Sequence, residues 1–276
     1  RRDALMSVII GLLLAWILII VGMILKGGTI MGILNLPAFL MVMGGTFGAL
    51  IASFGLKTIT QMVSLLFLSY KELPDRRPEV IEQLVDYSEK ARREGLVVVA
   101  DGGRNADDPF LARGIRLVVD GTDPELVKDI METELDAMEQ RHHDNQRGYT
   151  QGGGFAPTIG ILATVLSLVS VLQHLDQPDK LGPAISAAFL ATFYGVAVAN
   201  VFFYPVGNAL KSRTEQEVAL RTLMIEGVLS IQSGDNPRVL AEKLWSFLPA
   251  DQRPKDAGEG GSEREGGRAE RTAQAA

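Results

Sequence analysis

Hydroxyls, prolines and glycines, rather than ionisable groups, are the residues whose spacing could do chemistry in this chain. Thr158, Thr164 and Ser167 lie in the run GGGFAPTIGILATVLSLVSVL, and Thr192 lies in LGPAISAAFLATFYGVAVANVFFYPVG. Each run also carries a proline near one end, Pro157 and Pro205. A threonine in an apolar helix often returns its hydroxyl to a carbonyl one turn back, and taken singly each of these hydroxyls is structural. Two facing threonines, Thr164 and Thr192, beside two prolines form a more pointed pattern. Proline leaves backbone carbonyls without an N–H partner, and such carbonyls can meet an ion or a water. Small residues recur around them at three- or four-residue steps: Gly160, Ala163 and Ser167 in the first run, and Ala188, Ala191, Gly195 and Ala199 in the second. Both helices therefore offer a thin groove to another helix.

Other chemistries find little support. There is no cysteine among 276 residues, which excludes disulfides, thiolate metal sites and a cysteine nucleophile. His142-His143-Asp144 is a histidine cluster without metal-ligand spacing, since adjacent residues face different sides of a helix. Gly102-Gly103 and Gly152-Gly153-Gly154 lack the flanking signals of a nucleotide loop and read as hinges. Neither an enzyme, nor a resident cofactor, nor a metal site is expected. The net charge of −6 argues against a nucleic-acid partner.

The elements that must position the hydroxyls follow from where charge is missing. Mean hydropathy is +0.16 although 22% of residues are charged, so the two classes are segregated. Residues 4–25, 27–56, 148–175 and 181–210 are free of Asp, Glu, Lys and Arg. Each run exceeds the roughly 20 residues that cross a bilayer. The first lacks a cleavage site and is too long for a signal peptide, so it reads as a retained span. Residues 57–147 hold 13 Lys/Arg and 19 Asp/Glu, whereas the link between the first two runs holds only Lys26. The basic residues Arg1, Arg2, Lys57, Lys71, Lys211 and Arg213 near span ends place both termini and the middle segment in the cytoplasm.

Within the middle segment, Asp108-Pro109 and Asp123-Pro124-Glu125 put a capping carboxylate before a proline suited to the first helical turn, and Asn236-Pro237 repeats the device later. Short amphipathic helices follow, carrying Val80, Ile81, Leu84 and Val85, then Phe110, Leu111, Ile115 and Val118, then Val127, Ile130, Met131, Leu135 and Met138. Residues 58–70 continue the second span as helix, and Leu96 to Val99 are too isolated to build a sheet. The expectation is an all-α protein. It comprises transmembrane helices one and two (1–56), a helical cytoplasmic domain (57–147), transmembrane helices three and four (148–210), C-terminal cytoplasmic helices (211–250) and a disordered tail (251–276).

The order, spacing and span count over residues 7–249 resemble the MotA/PomA family, the multi-spanning subunit of the bacterial flagellar stator. The matching segments are LNLPAFLMVMGGTFGALIASF, ARREGL, APTIGILATVLSL and LATFYGVAVANVFFYP. The resemblance implies a homopentamer of this chain around a dimer of single-span MotB-type partners in the bacterial inner membrane. Ion flow would there be coupled to torque on the rotor protein FliG. It implies that Thr164 and Thr192 line the path to the partner's aspartate, and that Pro157 and Pro205 shape the coupling. It also implies that Arg92 or Arg93 contacts the rotor, with Asp101 standing in for a family glutamate whose position is Ala100 here. Ala163 and Ser167 replace glycines of many relatives and stay small. Both H+ and Na+ remain open as the ion; the threonine at 164 resembles the sodium-driven members and leans the choice to Na+.

Two readings compete: an ExbB/TolQ-like motor subunit, which would have three spans, and a secondary transporter, which would show internal repeats. A passive membrane scaffold is a further possibility. Because no carboxylate lies inside any of the four runs, a partner must bring it. Vesicles containing this chain alone should therefore show ion flux at background level. Selective conduction without a partner would refute that expectation.

Overall fold

A computed structural model describes the backbone at residues 2–69, 74–99 and 108–254, and the side chains over that range from Ile10 onward except Leu12. Every regular element among the described residues is helical. In chain order these are α1 (Arg2–Leu25), α2 (Ile30–Ile33), α3 (Leu36–Phe54), α4 (Leu56–Ser69), α5 (Arg77–Glu94), α6 (Pro109–Val119), α7 (Pro124–Leu172) and α8 (Pro178–Val198). A π-helical turn (Ala199–Phe203) then leads into α9 (Tyr204–Ser233), α10 (Pro237–Trp245) and a 3-10 turn (Ala250–Gln252). Three helical stretches are long and apolar enough to cross a membrane: α3, α7, and α8 with its continuation to Ser233. In α1, the stretch Leu13–Leu25 is apolar but shorter.

The caps explain the starts. Asn35 accepts from Ala38 N at 3.0 Å, Asp108 from Phe110 N at 2.9 Å, Asp123 from Glu125 N at 2.9 Å and Asn236 from Arg238 N at 3.0 Å. Each carboxylate or amide satisfies an N–H that has no partner within its helix. The anticipated continuation of the second span through 58–70 is interrupted, because Gly55 takes φ 78° and ends α3 before α4 begins. Only glycine adopts that left-handed geometry without penalty. The stretch 96–99 is a helical turn, with Val99 buried.

Two expectations are corrected. The segment from Pro124 is no short helix, since α7 runs 49 residues without a break and includes both Gly152–Gly154 and Pro157. Those glycines are accordingly not a hinge; at Gly152 and Gly153 the missing side chain serves packing, as described below, whereas Gly154 faces open space. The tail is also ordered further than anticipated. Ala250–Gln252 form a turn, and Arg253 donates to the carbonyls of Leu248 at 2.8 Å and Ser246 at 3.2 Å. The remainder of that expected disordered tail, 255–276, lies outside the described residues, as do Lys71, Ala100, Asp101 and Gly102-Gly103.

The chain forms two compact units, Arg1–Leu73 with Gln140–Thr214, and Pro74–Glu139 with Glu215–Ala276. The second unit has the apolar core that the amphipathic stripes predicted. Val80, Ile81 and Leu84 of α5 are buried with Phe110, Leu111 and Ile115 of α6, Met131 and Leu135 of α7, Leu223, Met224 and Val228 of α9, and Leu240 and Leu244 of α10. Leu84 seats on Gly227, where an added Cβ would come within 2.4 Å of its methyl. Polar ties close the unit: Lys243 pairs with Glu226 at 2.6 Å, and Arg77 holds Asp75 at 2.8 Å while reaching the carbonyl of Phe247. Leu244 is fully buried, so Leu244→Ala should lower the stability of this unit by about 2–5 kcal/mol. Limited proteolysis of the purified protein should read that loss as faster cleavage within residues 74–139.

Candidate functional site

In the first unit α7 and α8 meet backbone to backbone. A Cβ added at Gly195 would lie 2.4 Å from the carbonyl oxygen of Ala156 and 3.1 Å from Cα of Gly160, and one added at Gly160 would lie 2.9 Å from the carbonyl of Ala191. Small residues permit this approach, and in an apolar medium such packing, rather than hydrophobic burial, holds helices together. One turn along, Thr164 and Thr192 face each other across the same seam.

Their hydroxyl oxygens are 2.6 Å apart, and Thr164 Oγ1 also lies 2.8 Å from the carbonyl of Ala188 and 2.9 Å from that of Gly160. Thr164 has one hydrogen for three oxygens. It donates to one and accepts from Thr192 when that hydroxyl turns toward it, so four oxygens gather where two helices cross. The sequence pattern paired these two threonines, and the structure brings them into direct contact. Both are half-buried. Ser167 returns its hydroxyl to Ala163, whereas Thr158 is exposed and donates to Phe155 at 2.8 Å, outside the groove.

The prolines sit elsewhere on this pair. Pro157 lies inside α7, about 10 Å along the axis from Thr164. Pro205 follows the π-helical turn at Ala199–Phe203. A wider turn just upstream relieves the clash between a proline ring and the carbonyl four residues back. The two proline regions touch through side chains: an added Cβ at Gly152 would meet the Phe203 ring at 2.4 Å, and one at Gly153 the Tyr204 ring at 2.7 Å. The glycines are sockets for these rings. Phe203 is buried with Tyr149, whose hydroxyl donates to the carbonyl of Met62.

α3 lies along α8 and is fixed by contacts that residue patterns did not single out. The Tyr194 hydroxyl donates to the carbonyl of Ile33 and accepts from Asn35 N at 2.9 Å, pinning the start of α3. The legible signal was Asn35 before Leu36-Pro37, a cap followed by an early proline. Phe39 meets Tyr194 edge-on at 5.8 Å.

In the second unit, Arg92 and Arg93 are exposed in the last turn of α5. Arg93 lies 3.7 Å from Glu89, and Arg92 has no ion pair among the described residues. Lys90 holds its proton more firmly than usual because it donates to Asp86 at 2.6 Å, with the carboxylate's charge adding to the effect. Asp101 is outside the described residues. His142 and His143 occupy successive positions on α7, half-buried and exposed.

The model of the MotA/TolQ/ExbB proton channel family matches residues 103–222, and that of the motility protein A N-terminal region matches residues 9–95. Motility protein A of Bacillus subtilis is 40% identical over 256 residues, which cover 91% of this chain and 94% of that protein. The flagellar MotAB stator complex from Bacillus subtilis contains a chain that superposes with a TM-score of 0.82 at 40% identity, covering 89% of this chain and 96% of that one. A chain of C. jejuni MotAB gives the same TM-score at 31% identity, over 90% and 97%.

The crossing yields a direct test. Gly195→Ala puts a methyl against backbone that cannot swing aside, whereas Gly182→Ala meets nothing within 4 Å. The first substitution should lower the melting temperature of the detergent-solubilised protein clearly, and the second should leave it unchanged.

Proposed function

This chain belongs to the motility protein A family of the MotA/TolQ/ExbB proton channels and is an ion-driven flagellar stator subunit, and on that premise we propose how it works. It crosses the bacterial inner membrane four times, with residues 1–56 and 148–210 supplying the spans. Residues 57–147 and 211–250 lie with both termini in the cytoplasm. Five copies surround a dimer of a single-span, MotB-type partner, within membrane lipid. The match to the motility protein A N-terminal region supports this stator branch over an ExbB/TolQ-like subunit. The protein acts by conduction and movement, not by covalent chemistry.

The partner's membrane carboxylate carries the ion, and Thr164 and Thr192 form the wall that receives it. The observation that carries this reading is their 2.6 Å contact beside two backbone carbonyls. Oxygen atoms so clustered can replace water around a partly dehydrated cation. Sodium is accordingly the favoured ion, although a proton would need only the partner's carboxylate and water. Pro157 and Pro205 leave the carbonyls of Gly153 and Val201 without their usual helical N–H donors and so soften α7 and the α8–α9 helix near their contact. Arg92 and Arg93, with Asp101, engage FliG on the rotor.

The test is to express the full chain with its partner in a strain lacking stators and to vary sodium at fixed membrane potential. Swimming speed should rise with sodium, and that dependence should vanish in Thr164→Ala. Speed independent of sodium in the unaltered protein would assign the proton instead.

A further inference from the structure

On α3 the fully buried residues Ala38, Val42, Thr46 and Leu50 follow one another at four-residue steps. Three of them have apolar reasons to be there. Ala38 and Val42 cluster with Ala163 of α7 and Ala191 of α8, and Leu50 clusters with Ala156 of α7 and Ala199 of the π turn. Thr46 lies midway on this stripe, which puts it level with Gly160 and Gly195, where α7 and α8 touch backbone to backbone. Its neighbour Gly45 supports that placement, since a Cβ there would come 2.7 Å from the side chain of Ile159.

Thr46 is 0% exposed, and its Oγ1 has no hydrogen-bonding partner among the described residues. This departs from the other two span threonines at the seam, since Thr164 lies within hydrogen-bonding distance of a carbonyl of its own helix and Thr192 within that of Thr164. A hydroxyl taken out of water and left unpaired costs free energy, and valine, with the same shape, would avoid the cost. A group that is unsatisfied in one state and satisfied in another biases the equilibrium toward the second. The acceptors at hand are at this same crossing, the carbonyls of Ala156 and Ala191, each already facing a bare glycine of the opposite helix.

We infer that Thr46 is a positioning residue for the ion-driven cycle: its hydroxyl gains a backbone carbonyl of α7 or α8 when these helices shift at the Gly160–Gly195 crossing, and so favours the shifted arrangement. The inference rests on the stator reading above, but its own test is separate. Thr46→Val keeps shape and removes only the hydroxyl; Thr46→Ser keeps the hydroxyl. Both full-length variants are expressed with the single-span partner in a strain lacking stators, and the rotation speed of tethered cells and the melting temperature of the purified complex are recorded.

Thr46→Val should melt at or above the temperature of the unaltered complex while turning about fivefold more slowly, the population shift that one ordinary hydrogen bond supports. Thr46→Ser should turn at near-normal speed. Three results overturn the inference: a Thr46→Val motor at normal speed, a Thr46→Val complex that melts lower or fails to accumulate, or a Thr46→Ser motor as slow as Thr46→Val. Normal rotation by the unaltered protein in the same strain shows that the stator reading stands whichever way the variants fall.

Discussion

The first unit depends on one constraint: between Gly160 and Gly195 there is room for two backbones and nothing else. Helices that approach so closely bring their polar backbone groups near one another, and the neighbouring side chains must fit what remains. Thr164 can reach the carbonyl of Ala188 on the other helix only because the crossing draws α7 and α8 together. The same closeness leaves α3 able to cover the seam with the side chains of Ala38, Val42, Thr46 and Leu50. Spread the helices by a methyl group and the threonine contact, the α3 packing and the ring sockets at Gly152 and Gly153 would all have to adjust.

The second unit is organised by a different force. Its core is built mainly from leucine, isoleucine, valine and methionine, with Tyr87 and Phe110, on five helices, in the manner of a water-soluble domain. Its polar residues are paired near the surface, as in the Lys243–Glu226 and Arg113–Glu134 contacts. One chain thus builds one unit on apolar burial and the other on the close approach of helix backbones.

This division also decides what was legible in the amino-acid sequence. Caps at Asp108, Asp123 and Asn236 are local chemistry, decided within three residues, and the helices begin where those residues say. The amphipathic stripes of α5 and α6 were equally plain, because period and burial coincide. The Thr164–Thr192 pair was readable from small-residue spacing on two helices. Gly152 and Gly153 were not: a glycine run looks the same whether it bends or receives a ring, and only Phe203 and Tyr204, some fifty residues away, decide the matter. The unbroken length of α7 was hidden for the same reason, since local signals of a break were outweighed by packing along the helix. Thr46 resembles any membrane threonine until its missing partner is seen.

The ring sockets limit how α7 and α8 can move against each other. At the glycine crossing itself backbone meets backbone, and one turn along only the Thr164 hydroxyl reaches the opposite helix, at the Ala188 carbonyl and Thr192. At Gly152 and Gly153, by contrast, the rings of Phe203 and Tyr204 sit like pegs, so sliding or axial rotation there would have to unseat an aromatic ring. An opening about these pegs would displace the end that bears the two threonines farther than the end that bears the rings, and would have to part Thr164 from Ala188 and Thr192.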